Sequence, residues 1–119
     1  MIIKQLTTKL SGCTPEKLAD EKFLNQLLEE ISSEIKVTIV KRMSHFYNPG
    51  VSVVFLLAES HISIHTWPEL GFADLDIVSC KGTDIQKGLD MAVKALNPKK
   101  IEKHASEFVQ DGVSVKVPS

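Results

Sequence analysis

The sequence predicts an α+β fold, a two-layer sandwich in which a mainly antiparallel sheet carries two helices on one face. Two segments show apolar residues at helical spacing, and four strand-like segments lie in close succession between them. Connections of hairpin length make neighbouring strands antiparallel, and both helices can then cover the same sheet face. The 119 residues suffice for a single domain over residues 1–119.

The N-terminal third predicts a strand followed by a helix. Residues 2–10 are apolar and rich in threonine, which is typical of a strand. Thr14 and Pro15 form a helix-start signal, with threonine as the cap and proline at the first helical position. Asp20 restarts the helix after a short first turn. The following apolar stripe consists of Phe23, Leu24, Leu27, Leu28, Ile31 and Ile35.

The middle of the chain predicts four strands separated by turns. The first covers residues 36–46, and the second, residues 51–58, is apolar enough to be buried on both faces. Residues 61–67 and 72–79 alternate between polar and apolar side chains, so each has one polar face. A second helix starts at Gly82-Thr83-Asp84 and ends at Asn97-Pro98, and residues 100–109 predict a last strand.

Composition limits the partners of the protein. The net charge is −1, with basic and acidic residues interspersed, so nothing predicts binding to nucleic acid or to an anionic membrane. The longest apolar run, residues 53–58, is far shorter than the roughly 20 residues of a membrane-spanning helix. Cys13 and Cys80 do not form a disulfide framework. We therefore expect a cytoplasmic protein with free thiols.

Residues 58–69 are too polar for a plain core strand, and several kinds of chemistry are open to them. His61 and His65 are four residues apart, but on a strand that spacing separates them by about 13 Å, which disfavours a shared metal. They could instead satisfy backbone groups at a sheet edge. Ser60 and His65 could form a nucleophile–base pair, but the glycine-flanked elbow of a hydrolase is missing.

The same segment resembles the self-processing signature of the S-adenosylmethionine decarboxylase proenzymes, in their short prokaryotic form. The resemblance rests on Glu59-Ser60-His61 and on residues 64–69, which read IHTWPE. Ser52 lies upstream where that family has a processing serine, and Cys80 lies downstream where it has a catalytic cysteine. The likeness is good over residues 36–96. It departs from the family at Lys4-Gln5-Leu6, which replaces a Gly-x-His element, and at Val53, where many members have glycine.

This resemblance implies a reaction of the chain upon itself. Ser60 would attack the carbonyl of Glu59 and split the chain into a β chain of residues 1–59 and an α chain of residues 60–119. Ser52 would stabilise the oxyanion, and His65 would take the Cα proton of Ser60. A pyruvoyl group derived from Ser60 would be the covalent cofactor, with no metal. Cys80 would donate a proton to the substrate carbon after carbon dioxide leaves.

The resemblance also implies a substrate and a partner. Glu69 would hold the ribose hydroxyls of S-adenosylmethionine, and Phe46 and Trp67 would stack on its adenine. The product would be the aminopropyl donor for spermidine synthesis. Two cleaved protomers would pair into a homodimer of αββα architecture. Two alternatives remain: a pyruvoyl-dependent arginine or ornithine decarboxylase of the same fold, and an uncleaved binding or regulatory relative without enzyme activity.

Overall fold

In the computed structural model, which describes residues 1–80 and 82–110, six strands form one antiparallel sheet. The strands are β1 (Ile2–Ser11), β2 (Ile39–Phe46), β3 (Val51–Leu57), β4 (Ser60–Trp67), β5 (Phe72–Ser79) and β6 (Lys100–Val109). Their order across the sheet is β2-β3-β4-β5-β1-β6, and every neighbouring pair is antiparallel. Four strands consecutive in the chain are therefore neighbours in space, as hairpin-length connections predict.

The described part of the chain forms three α-helices where the sequence predicted two, because the first predicted helix is divided. They are α1 (Pro15–Leu18), α2 (Glu21–Glu34) and α3 (Ile85–Leu96), and a 3₁₀ turn covers Pro68–Leu70. Asp20 begins α2 as predicted, and its carboxylate accepts a hydrogen bond of 3.0 Å from the backbone N–H of Phe23. Asn97, in the left-handed conformation, ends α3. None of the described helices is long and apolar enough to cross a membrane.

The helices cover one face of the sheet, and the core lies between the two layers. The largest fully buried side chains come from β1, β3, β4, β5 and all three α-helices, among them Leu6, Leu18, Leu28, Phe55, Ile62, Ile64, Ile77 and Leu96. Complete burial of one such side chain stabilises the fold by about 1.5–3 kcal/mol. The alternation predicted for β4 and β5 is confirmed, and so is the α+β two-layer sandwich.

On the opposite face of the sheet, called here the open face, residues 1–80 and 82–110 place no helix. The prediction that β3 is buried on both faces is wrong for the single chain: Val54 is 37% exposed and Leu56 is 50% exposed. Apolar composition alone cannot tell a strand covered on both faces from one whose second apolar face stays uncovered. β2 also begins at Ile39, three residues later than predicted, because Lys36 takes a positive φ of 61° after α2 ends.

Candidate functional site

The open face holds the first group of predicted site residues. In the sheet register Ser52 of β3 lies directly opposite His65 of β4, and His65 lies opposite Asp74 of β5. A hydrogen bond of 2.7 Å joins Ser52 Oγ and His65 Nδ1. The structure therefore brings together two predicted residues that are 13 positions apart in the chain. The bond also leaves the other ring nitrogen, Nε2, available for proton transfer.

A cavity of about 440 Å³ lies at this end of β3 and β4, and we call it the His65 cavity. It is lined by Tyr47, Pro49, Gly50, Ser52, His65, Thr66, Trp67 and Glu69. Gly50 is needed here because a Cβ at this position would lie 2.8 Å from the backbone oxygen of Thr66. The Trp67 ring packs on Phe72 with 5.2 Å between ring centroids and remains 40% exposed. An aromatic face and a carboxylate thus reach the same cavity.

Four residues of the cavity were not predicted as site residues, and two of them, Thr66 and Tyr47, make contacts that shape it. The buried Thr66 hydroxyl donates to the backbone oxygen of Leu18 at 2.7 Å and accepts from the backbone N–H of Val51 at 2.9 Å. It thereby ties α1 and β3 to β4. The only signal for it was a polar residue at a core-facing position of an alternating strand. Tyr47 packs edge-on against His45, with ring centroids 4.5 Å apart, and had no sequence signal.

Phe46 does not lie in the His65 cavity. It pairs with Val51, whose side chain is in the core, so its position belongs to the helix-covered face of the sheet. It lines a separate surface depression beside α2 together with Ser44, whose hydroxyl donates to the Glu21 carboxylate. Phe46 is therefore not placed to stack on an adenine in the His65 cavity of the same chain. Tyr47, the next residue, occupies the cavity instead.

The second group of predicted residues, Glu59, Ser60 and Cys80, surrounds the two-residue turn that joins β3 to β4. We call this turn the cleavage turn. Two-residue hairpins favour positive φ at their central positions, which glycine or asparagine usually supply. Here the turn residues are Ala58 and Glu59, and the positive φ falls on Ser60, at 147°. That region of φ is strained for any residue except glycine. The strained residue is therefore the one that directly follows the bond that the resemblance implied would break.

Hydrogen bonds hold Glu59 of the cleavage turn by its backbone carbonyl and by its side chain. The backbone N–H of Cys80 donates to the carbonyl oxygen of Glu59 at 2.9 Å. The backbone N–H of Thr38 donates to the Glu59 carboxylate, also at 2.9 Å. A donor on the Glu59 carbonyl is placed where negative charge would develop if a nucleophile attacked it. Cys80, which is exposed, belongs to the same group because it follows Ser79, the residue that pairs with Ser60.

The two groups stand at opposite ends of β4. Ser60 pairs with Leu57 at the start of the strand, whereas His65 pairs with Ser52 five residues later. At the rise of an extended strand this separates Ser60 from His65 by about 16 Å. Within one chain Ser52 and His65 therefore do not contact Ser60. The predicted proton transfer from Ser60 to His65 requires such a contact.

Acidic residues of β5 complete the open face. Asp74 and Asp76 point to it from alternate positions, and each has one carboxylate oxygen that is buried without a hydrogen-bond partner among the described residues. Burial, and then the charge of Asp74, raise the pKa of Asp76, while His65 and His61 oppose this rise. Across residues 1–80 and 82–110, no group of three or more His, Cys, Asp or Glu side chains is placed to hold a metal ion.

Comparison with known proteins gives one consistent family. Residues 4–108 match the family model described as S-adenosylmethionine decarboxylase. An S-adenosylmethionine decarboxylase proenzyme of Pyrobaculum islandicum is 40% identical over 96 residues, covering 78% of this chain and 77% of its own. One from Archaeoglobus fulgidus is 34% identical over 97 residues, covering 80% of this chain and 87% of its own.

Solved structures agree with the sequence relatives. The crystal structure of the adenosylmethionine decarboxylase from Aquifex aeolicus superposes with a TM-score of 0.86 at 30% identity, covering 97% of this chain and 98% of that one. The Trypanosoma brucei AdoMetDC monomer, at 15% identity and a TM-score of 0.60, shares the fold over 84% of this chain and 44% of its own. The chain belongs to the S-adenosylmethionine decarboxylase family.

Proposed function

We propose that the protein cleaves itself between Glu59 and Ser60 and then decarboxylates S-adenosylmethionine with the pyruvoyl group left on residue 60. The observation that supports this most directly is the cleavage turn: a strained Ser60 follows a carbonyl that already accepts a hydrogen bond from Cys80. The relatives that are named proenzymes support a precursor that matures by cleavage. In this family the processed residue supplies a ketone that accepts the electrons released when carbon dioxide leaves.

The residues of the turn support the following steps of cleavage. The Ser60 hydroxyl attacks the adjacent Glu59 carbonyl carbon, and the Cys80 N–H stabilises the oxyanion. The peptide C–N bond breaks as the ester C–O bond forms, which frees the Ser60 amino group. Loss of the Ser60 Cα proton to His65 then expels the Glu59 carboxylate and leaves dehydroalanine. Tautomerisation and hydrolysis release ammonia and give the ketone.

Glu59 has a positioning role in this scheme in addition to being the cleaved residue. Its carboxylate accepts the Thr38 N–H, and the backbone N–H of Ala58 donates to the Thr38 carbonyl at 2.9 Å. The turn is thus fastened to the segment between α2 and β2. After cleavage the same bonds would keep the new C-terminus of the β chain in place.

We further propose that two copies pair through their open faces into an αββα homodimer. The proposed proton transfer needs His65 within reach of Ser60, yet about 16 Å of strand separates them in one chain. A two-fold interface makes reciprocal contacts, so Ser60 of each copy can meet Ser52 and His65 of the other. The open face also exposes Met43, Val54 and Leu56, which a second sheet would bury.

The His65 cavity supports S-adenosylmethionine as the substrate. A volume of about 440 Å³ suits one small molecule, and Trp67 offers an aromatic face to an adenine or a sulfonium. The Glu69 carboxylate can accept hydrogen bonds from two ribose hydroxyls. An arginine or ornithine decarboxylase would need neither the aromatic face nor the ribose-binding carboxylate to bind its substrate. The product would supply an aminopropyl group for spermidine synthesis in the cytoplasm, where the Cys80 thiol would stay reduced.

Intact mass and gas release test the proposed function together. Fresh protein should convert from one chain into fragments of residues 1–59 and 60–119, the second with a blocked N-terminus that a carbonyl reagent labels. The Ser60→Ala variant should stay uncleaved. Cleaved protein should release carbon dioxide from carboxyl-labelled S-adenosylmethionine and not from arginine or ornithine. Wild-type protein that remains a single chain would contradict the proposal, and release from arginine or ornithine would reassign the substrate.

A further inference from the structure

Thr66 carries a buried hydroxyl group at the His65 cavity that the proposed chemistry leaves without a role. The residue is 5% exposed. Its Oγ1 accepts a hydrogen bond from the backbone N–H of Val51 at 2.9 Å and lies 2.7 Å from the backbone oxygen of Leu18. The Val51 oxygen is more distant, at 3.3 Å. A hydroxyl has one proton to donate, so the shorter contact, to Leu18, is its donor bond.

The hydroxyl stands where direct pairing between β3 and β4 ends. On this side of the hairpin the last pair in the register is Ser52 and His65. The next pair would be Val51 and Thr66, but there the Val51 N–H bonds the Thr66 side chain. The two strands thus stay joined through a hydroxyl at the position where the ladder stops, and the His65 cavity lies at this end of both strands.

The second bond of the hydroxyl reaches the helix layer. Leu18 is the last residue of α1, and α1 packs against the 3₁₀ turn that carries Glu69. One hydroxyl therefore connects the cavity wall that contains Gly50 and Ser52 with the element that supports the wall containing Glu69. Both of its partners are buried backbone groups, and removal of the hydroxyl would leave them without this bond, which is unfavourable.

We propose that Thr66 is a positioning residue that sets the spacing of the walls of the His65 cavity and thereby its affinity for an adenine nucleoside. It acts through β3 and α1. The inference rests on the proposed function, because that function assigns the cavity to S-adenosylmethionine. Threonine suits this role because its branched Cβ restricts χ1 and so fixes the direction of the hydroxyl. Valine has a similar shape but cannot make either bond, so Thr66→Val isolates the contribution of the hydroxyl.

Binding of methylthioadenosine, a nucleoside probe, to Ser60→Ala protein tests the proposal without requiring self-cleavage. In titration calorimetry we expect Thr66→Val in this background to bind about tenfold more weakly or worse, and Thr66→Ser to stay within about threefold of the parent. In matured enzyme the Thr66→Val change should raise KM for S-adenosylmethionine more than it lowers kcat. A lower kcat at unchanged KM would overturn the proposal.

Thr8→Val is the matched control for loss of a buried threonine hydroxyl. The Thr8 hydroxyl donates to the backbone oxygen of Leu75 at 2.8 Å, and Thr8 lies outside the set of residues that line the cavity. Thr8→Val and Thr66→Val should both lower the urea midpoint of the Ser60→Ala parent, because each removes a buried hydrogen bond. Only Thr66→Val should lose affinity for the nucleoside, which a purely structural role would not produce.

The possible failures are distinguishable. If the Ser60→Ala parent does not bind the nucleoside, the proposed substrate fails and this inference fails with it. If the parent binds and Thr66→Val binds as tightly, or Thr8→Val weakens binding as much, only the role of Thr66 is refuted. Should Thr66→Val fail to fold, amide hydrogen exchange of the parent decides. Saturating nucleoside should then protect the Val51 N–H more than the Ala58 N–H, which bonds Thr38 at the far end of β3, and equal protection overturns the proposal.

Discussion

The two cysteines show how the environment of a residue decides its chemistry. Cys13 is 4% exposed, and burial raises the pKa of its thiol, whereas Cys80 is exposed beside the cleavage turn. Since the thiolate is the reactive form, iodoacetamide should alkylate Cys80 in native protein well before Cys13. Peptide mapping by mass spectrometry would locate the label, and carbon dioxide release should be lost with it. Equal labelling of both thiols, or labelled enzyme that stays active, would contradict the assignment.

Asp76 makes a second prediction at the residue scale, for stability. Because its pKa is raised in the folded protein, the native state holds the proton more tightly than the unfolded chain does. Its contribution to stability is therefore greatest below the ordinary carboxyl pKa. It is lost as pH rises through the interval between the unfolded value and the raised folded value.

This sign can be measured in uncleaved protein. In a Ser60→Ala background, Asp76→Asn should be at least as stable as its parent at neutral pH. Its advantage in urea midpoint should shrink as pH falls through the same interval. The opposite result would be an Asp76→Asn protein that is less stable than its parent at neutral pH and comes closer to it at low pH. It would show that the carboxylate makes a favourable contact not seen in the single chain.

The alternation of side chains between the two faces of a strand explains which site residues could be predicted from the sequence. His61, Ser63 and His65 share one face by simple alternation, and the structure agrees. The resemblance supplied Ser52 as the companion of His65, and the register places them opposite each other. Phe46 could not be placed in this way, because the turn between β2 and β3 interrupts the alternation. The faces of Phe46 and Ser52 depend on turn geometry that no residue pattern gives.

At the scale of elements, the turn from β2 to β3 depends on one close backbone contact. A Cβ on Gly50 would lie 2.8 Å from the Thr66 carbonyl oxygen, and this oxygen belongs to backbone that cannot move easily. In the Ser60→Ala background, Gly50→Ala should therefore lower the free energy of unfolding by about 1–3 kcal/mol. Gly82→Ala is a matched control, since nothing lies within 4 Å of its added Cβ. Equal urea midpoints for the two variants would show that β3 and β4 can separate without loss.

The strand elements were otherwise well predicted, and the error about β3 is informative. The residues that form β6 were predicted from Lys100 to Val109, and these are its bounds. Burial of β3 on both faces was inferred from its composition, yet Val54 and Leu56 are exposed in the chain alone. A strand has apolar residues on every surface that it buries, including a surface that is buried by another chain. Apolar residues that are exposed in the single chain, although their composition predicted burial, are thus what an interface on the open face would produce.

At the scale of the whole molecule, the cleavage turn and the His65 cavity are two groups of residues that one chain does not bring together. The proposed homodimer makes a strict genetic prediction. Ser60→Ala protein cannot cleave itself but offers an intact His65, while His65→Ala protein has an intact Ser60 but lacks the base. Expressed alone, neither should mature. In a mixed dimer, Ser60 of the His65→Ala chain would meet His65 of the Ser60→Ala chain, which restores one complete site.

Co-expression of the two variants, with distinguishable tags, should therefore cleave only the His65→Ala chain. Random pairing of equal amounts places about half of those chains in mixed dimers, so cleavage should approach that fraction. Co-expression of two differently tagged His65→Ala chains is the control and should give none. Cleavage of His65→Ala protein on its own would remove His65 from the reaction. Absence of cleavage in stable mixed dimers would refute the shared site and would mean that Ser60 reaches its base within its own chain.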